Sequence, residues 1–272
     1  MEQIILKGKV FPEIIYRKTG SGPALLLVHG FPANPLLWRE IIPELSSRYT
    51  LLMPDFFAVP GSWMVDGHNS MDMLAEGFAA ILDNEKVERT VIIGHSMGGY
   101  MGLAFAGKYP SRLHGLSLVH SSPVPDDEAR AEGRRKTVAI LESGGKRLFL
   151  NKMVKALFPD EFNDKHPEVY KRQTEEAIAV DDQSLVAFYR AIMERADTRS
   201  VVQGLSCPVQ YLIGEKDSLA NIRKELAQKS LAKTSFVSIF KNAGHMVMLE
   251  EPDAVLATLN RFLSYCLAEG QE

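Results

Sequence analysis

Cysteine is scarce: Cys207 and Cys266 are the only two in 272 residues. One precedes a strand-like run and the other falls in a helical pattern, so no disulfide framework is implied. Long apolar runs are missing too. Stretches such as Ala24–Val28 and Val91–Ile93 are far too short to cross a bilayer. Charge of one sign is not in excess: 31 basic and 34 acidic residues give a formal net charge of −3. That balance draws neither nucleic acid nor an anionic membrane surface. The opening MEQIILKGKV has no basic region leading into an apolar run, so it does not read as a secretory signal. Reduced thiols in a cytoplasm are the expectation. No internal repeat or low-complexity tract is present. No histidine pair has the helical spacing of a zinc site, and neither metal nor cofactor is expected.

What is present is an ordinary soluble composition, 46% hydrophobic and 24% charged. The length suits one large core, or a core with a small insertion. Aliphatic runs recur at Ala24–His29, Thr50–Met53, Thr90–Gly94, Leu113–His120, Pro208–Gly214 and Ser235–Phe240. Several lack period-two alternation, as strands covered on both faces do. Helical patterns lie between them at Pro35–Ser46, Met71–Asn84, Met97–Lys108, Leu219–Leu231 and Asp253–Leu267. Asn34 and Ser70 stand where helix caps belong. The order predicts an α/β fold with a doubly wound, mostly parallel sheet. Gln3–Lys18 alternates and predicts an antiparallel hairpin at the edge.

From Pro123 to about Ser200 the strand pattern stops. Charged helical segments replace it at Glu128–Leu141, Lys146–Leu157 and Ser184–Glu194. The division expected is a core of residues 1–122 and 201–272 with a helical cap, or lid, over 123–200. An independent helical domain is disfavoured, because the strands after Pro208 would then lack a sheet.

The strongest chemical signal is GHSMGG at Gly94–Gly99, set between a strand and a helix. A serine hydroxyl is a weak nucleophile unless it is exposed, oriented and deprotonated by a neighbour. A sharp strand-to-helix turn exposes Ser96 and demands tiny residues at Gly94 and Gly98. The helix from Met97 turns its amide donors toward the place where negative charge develops. Without the strand–turn–helix context G-x-S-x-G means little; within it, a merely structural glycine turn is the weaker reading.

His29-Gly30-Phe31, the GHSMGG turn, Gly214-Glu215-Lys216-Asp217 and Asn242-Ala243-Gly244-His245 together resemble the α/β-hydrolase fold family over nearly the whole chain. The resemblance implies a serine nucleophile, then an acid, then a histidine, which fall on Ser96, Asp217 and His245. His245 would take the serine proton and Asp217 would fix its tautomer. Oxyanion donors would be the amides of Met97 and Phe31. A rival acid is Asp126 or Asp127, whose plainer reading is a charge pair at a helix start. His95, His120 and Met246 are candidate pocket-lining residues, with His95 packing sideways and His29 structural. His68, His114 and His166 read as solvated. After Pro54-Asp55 many relatives carry R-G-x-G-x-S, whereas here the chain reads FFAVPGSW from Phe56 to Trp63. That bulky loop is expected to press on the pocket.

Serine at position 96 argues against epoxide hydrolases and haloalkane dehalogenases, which use aspartate there. The expected function is hydrolysis of a small ester or lactone, the partner being a small-molecule substrate. Alternatives on the same residues are C–C bond hydrolysis, perhydrolysis, a cofactor-free lyase or oxygenase, and a non-catalytic ligand receptor.

Overall fold

The computed structural model describes residues 1–7, 10–219 and 227–268. Within them, strands β1 (Glu2–Leu6), β2 (Ile14–Thr19), β3 (Ala24–Val28), β4 (Thr50–Pro54), β5 (Thr90–His95), β6 (Leu113–Val119), β7 (Val209–Gly214) and β8 (Ser235–Phe240) form one sheet. Its order is β1-β2-β4-β3-β5-β6-β7-β8. The β1–β2 and β2–β4 pairs are antiparallel. From β4 to β8 every pair is parallel. The expected edge hairpin is the β1–β2 pair.

The central strands are apolar because both faces are covered. Every residue of β3 and β5 is buried. Alternate side chains enter different cores: Leu26, Val28 and Ile92 pack with α2 (Met71–Asn84) and α3 (Met97–Lys108). Leu25, Leu27, Val91 and Ile93 pack on the other side with the C-terminal helix Pro252–Ala268. Each such burial contributes about 1.5–3 kcal/mol. Strand order reverses between β3 and β5, so the loops leaving their carboxyl ends diverge and leave a crevice there.

Local signals hold where they are short-ranged. Ser70 accepts from Met73 N and starts α2; Asn34 accepts from Leu36 N. The stretch Pro35–Ser46, expected as one helix, is instead a 3₁₀ turn (Pro35–Trp38) followed by α1 (Ile42–Ser46). Pro43 stands in the first turn of α1, where its missing N–H leaves no bond unmade. Most of the helix expected over Leu219–Leu231 lies outside the described residues; Ala227–Ser230 forms a 3₁₀ turn.

Between β6 and β7 the chain runs through α4 (Glu128–Glu142), α5 (Lys146–Leu157), α6 (Asp160–Lys165), α7 (Pro167–Ala179), α8 (Asp182–Met193) and α9 (Arg199–Gly204). Thr198 N donates to Pro123 O at 2.9 Å, joining the entry and exit of this helical insertion. Its buried side chains merge into both cores: Leu150, Val154 and Leu185 into one, Phe188 and Ile192 into the other.

Candidate active site

Ser96 sits on the turn from β5 into α3 at φ +50° and ψ −113°. That backbone region is costly for a residue with a side chain, and such strain concentrates at functional sites. The turn is over-determined. Ser96 N donates to Val119 O at 2.8 Å, and Ser121 Oγ donates to Ser96 O at 2.8 Å. A Cβ on Gly94 would lie 2.5 Å from Gly98 O, and one on Gly98 would lie 2.3 Å from Val28 O. Only glycine fits at either place.

His245 follows β8, and its Nδ1 lies 2.6 Å from Asp217 Oδ2. A carboxylate has only lone pairs to offer, so Nδ1 carries the proton and donates. The lone pair is thereby assigned to Nε2. Asp217 follows β7, with its side chain 2% exposed; its Oδ1 accepts from Leu219 N at 2.7 Å. Burial pushes the Asp217 carboxyl upward, but His245 and His120 outweigh it and hold it well below the usual carboxylate range.

His120 was expected only as pocket lining. It does line the cavity, and its Nδ1 also meets Asp217 Oδ2, at 2.9 Å. Its φ of +49° bends the chain leaving β6 so that the ring turns back. Burial lowers its pKa, the hydrogen bond to Asp217 opposes that, the nearby His245 adds to the lowering, and the balance is downward. The ligating atoms of His120, Asp217 and His245 lie within 4.8 Å of one another. Both imidazoles nevertheless commit the Nδ1 atom to the carboxylate, an arrangement that orients rings rather than surrounds an ion.

Two residues expected as possible pocket lining lie beneath the cavity instead. His95 is 3% exposed and its Nε2 donates to the His245 carbonyl at 2.9 Å. Burial first, then His245 and His120, hold it neutral, well below its ordinary value. Met246 is buried in the core beside β5 and the C-terminal helix. The reason is geometric: residues flanking the two turns point back into the sheet when Ser96 and His245 point out.

Glu250, in the short helix Val247–Glu250, escaped sequence reasoning. Its Oε2 accepts from Gly244 N at 2.7 Å and its Oε1 from Met246 N at 2.9 Å, gripping both neighbours of His245. Burial raises its pKa to about 7 against those two bonds. The i+5 spacing of an acid after the histidine was the available signal. His245 N also donates to Leu157 O at 2.8 Å, tying the histidine loop to the end of α5.

Among the described residues, the Phe31 and Met97 amides donate to no backbone or side-chain acceptor, and Phe31 lines the cavity beside Ser96. His29 Nδ1 donates to Gly30 O at 2.9 Å while Nε2 accepts from Phe56 N at 3.4 Å, which pins the Phe31 loop to the segment after β4. Its role is structural. The Phe56–Trp63 loop, expected to press on the pocket, turns inward: Phe56 and Trp63 are fully buried. Phe57 reaches Phe31, at a centroid distance of 6.2 Å, and also Phe188 at 4.8 Å. His68 and His166 are exposed, whereas His114 is half-buried in β6.

The rival acids are elsewhere employed. Asp127 caps α4 by accepting from Arg130 N. Asp126 is no helix-end charge: its side chain is 2% exposed and is bonded to Arg195 at 2.8 Å and Arg134 at 2.5 Å. A cavity of about 1720 Å³ joins these groups, reaching Ser96, His120, His245, Phe31, Leu157 and Tyr189. No described helix is long and apolar enough to cross a membrane.

The sequence profile of the alpha/beta hydrolase fold matches residues 23–252; the chain belongs to that family. It is similar to a pimeloyl-[acyl-carrier protein] methyl ester esterase from Pseudoalteromonas atlantica, 26% identical over 89% of this chain and 95% of that one. A 2-hydroxy-6-oxo-2,4-heptadienoate hydrolase from Pseudomonas putida is 23% identical over 96% of each chain. A malate-bound thermophilic esterase from Thermogutta terrifontis superimposes with TM-score 0.90 at 27% identity, covering 98% of this chain and 99% of that one.

Proposed function

We propose that the protein is a serine hydrolase that cleaves a small ester or lactone through an acyl-enzyme on Ser96. The observation that carries this reading is the His245 Nδ1–Asp217 bond of 2.6 Å beside a strained Ser96 that opens on the same cavity. With Nδ1 committed to Asp217, Nε2 is the atom that accepts the Ser96 proton as Oγ attacks the carbonyl carbon. The oxyanion that forms is met by the Phe31 and Met97 amides, and the latter opens α3, whose dipole favours the charge. His245 then returns the proton to the leaving alkoxide. A water molecule, deprotonated by His245, releases the acid and restores Ser96. Residues 123–200 act as the cap that shapes the cavity, and no cofactor enters these steps. The cytoplasm is the proposed location. The resemblance to named esterases supports the ester reading, and the Pseudomonas putida relative keeps C–C bond hydrolysis as the second reading.

A fluorophosphonate probe is expected to label Ser96 alone, with label and p-nitrophenyl ester turnover both lost in Ser96→Ala. Equal labelling of wild type and Ser96→Ala overturns the assignment.

A further inference from the structure

The wall of the cavity holds an ion cluster that the steps above do not use. Asp126 precedes α4, Arg134 lies on it, and Arg195 follows α8. Asp126 Oδ1 accepts from Arg195 Nη2 at 2.8 Å and Oδ2 from Arg134 Nε at 2.5 Å. Arg195 Nη1 donates to Ile192 O at 2.8 Å, and Nη2 also approaches Val124 O at 3.3 Å. The guanidinium carbon lies over the Tyr100 ring, 4.3 Å from its centroid. Its Nε is buried and has no hydrogen-bond partner. The Arg195 side chain is only 5% exposed, so water does not reach that N–H freely.

One buried carboxylate thus serves two largely buried guanidinium groups, Arg134 and Arg195, with the exposed Arg130 a third at 3.9 Å. A purely structural ion pair needs one cation for each anion, and a surplus buried charge destabilises the fold. The surplus here faces a cavity. Among the described residues lining that cavity, five are cationic and two, Asp126 and Asp127, are acidic. Asp127 is occupied in capping α4; of the five cations, Arg199 is paired with Asp197, and Lys152 stands on α5. The donor left over on Arg195 is Nε–H, and a guanidinium N–H aimed at a carboxylate makes a charge-assisted hydrogen bond.

We propose that Arg195 and Arg134, braced by Asp126, form a carboxylate-binding subsite, so that the substrate is an ester carrying a free carboxylate at its far end. The geometry limits its length. Tyr100 lies one helical turn, about 5.4 Å, beyond Ser96, and Arg195 lies over its ring. Half-esters of short dicarboxylic acids fit that span. Turnover of such an ester rests on the serine-hydrolase reading; binding of the carboxylate does not.

The two are separated by experiment. Wild type is assayed on monomethyl esters of the C4–C8 dicarboxylic acids and on methyl alkanoates of equal length. A kcat/KM preference of at least tenfold for one or more half-esters is expected. Arg195→Met should lower that ratio at least tenfold, and Arg195→Lys should recover part of it. Calorimetry on Ser96→Ala with the dicarboxylates from succinate to suberate should show millimolar or tighter binding of at least one. This measurement needs no arginine variant to fold. If a dicarboxylate binds Ser96→Ala but wild type cleaves no ester of either series, the subsite stands and the hydrolase reading falls. If wild type cleaves neutral esters as well as half-esters and no dicarboxylate binds, the hydrolase reading stands and the subsite is overturned.

Discussion

His120 and His245 present their Nδ1 atoms to the same oxygen of Asp217, at 2.9 and 2.6 Å. Two neutral donors on one buried oxygen stabilise the carboxylate as an anion and fix its plane. Asp217 cannot swing away from His245 without also breaking with His120. A loop residue is thereby held as firmly as one within a strand. His120 is a positioning residue in this arrangement, since it acts through Asp217.

The two candidate acids should therefore fail in different ways. Asp217→Asn keeps the shape but offers an amide to two imidazoles, and loss of the correct tautomer is expected to cost on the order of 10⁴ in kcat with little change in KM. Asp126→Asn removes the carboxylate that pairs with both Arg134 and Arg195. Breaking a buried ion pair from one side costs about 3–5 kcal/mol, so its denaturation midpoint should drop with an unchanged slope. The mirror-image result, with Asp126→Asn folded and inactive and Asp217→Asn active, would move the acid to the earlier loop.

Residues of the insertion divide by where they point. Leu157 and Tyr189 face the cavity, so Leu157→Ala and Tyr189→Ala should change the ratio of kcat/KM between short and long acyl chains. Phe188 is fully buried against Phe56 and Phe57, with centroids at 5.5 and 4.8 Å. Phe188→Ala should instead cost about 3–5 kcal/mol of stability through the cavity it leaves. A Phe188→Ala protein with native stability and altered chain-length preference contradicts this division.

Acid should weaken the fold through His29. Burial, only partly offset by Asp55 and Gly30, brings its pKa down to about 4 from an ordinary 6.5. Above pH 6.5 the imidazole is neutral in both folded and unfolded chains, and the contribution is fully present. As pH falls from 6.5 through 4, the unfolded chain takes up a proton that the folded one refuses, and about 3 kcal/mol is lost. Glu250, raised by burial to about 7, works in the opposite sense, losing its contribution as pH rises from about 4.5 through 7. It is common to wild type and a His29→Asn variant, so it cancels between them. The stability gap between those two proteins should narrow from pH 7 to pH 4. A constant gap would remove His29 as the source.

What could be read along the chain is what neighbours in the chain decide. The Gly94-x-Ser96-x-Gly98 turn was legible because the steric need for glycine arises within five residues. The α2 start at Ser70 was legible because a cap acts over one turn, and β3 and β5 because unbroken apolar runs require cover on both faces. Even the split of Pro35–Ser46 was marked locally, by Pro43. Tertiary structure alone decided the remainder. His120 and Asp217 are 97 residues apart, and Arg195 and Asp126 are 69 apart. They meet because β6 and β7 lie side by side and because the chain near Pro123 is joined to Thr198 at the far end of the helical stretch. Composition shows five cations in such a cavity only as a balanced net charge. The same holds for the Phe56–Trp63 loop, whose apolar side chains the sequence revealed but whose inward turn depended on where α2 and α8 pack. Local sterics and hydrophobic pattern act through the covalent chain. The shared oxygen of Asp217 and the surplus arginine depend on strand order and on burial, which exist only once the sheet is assembled.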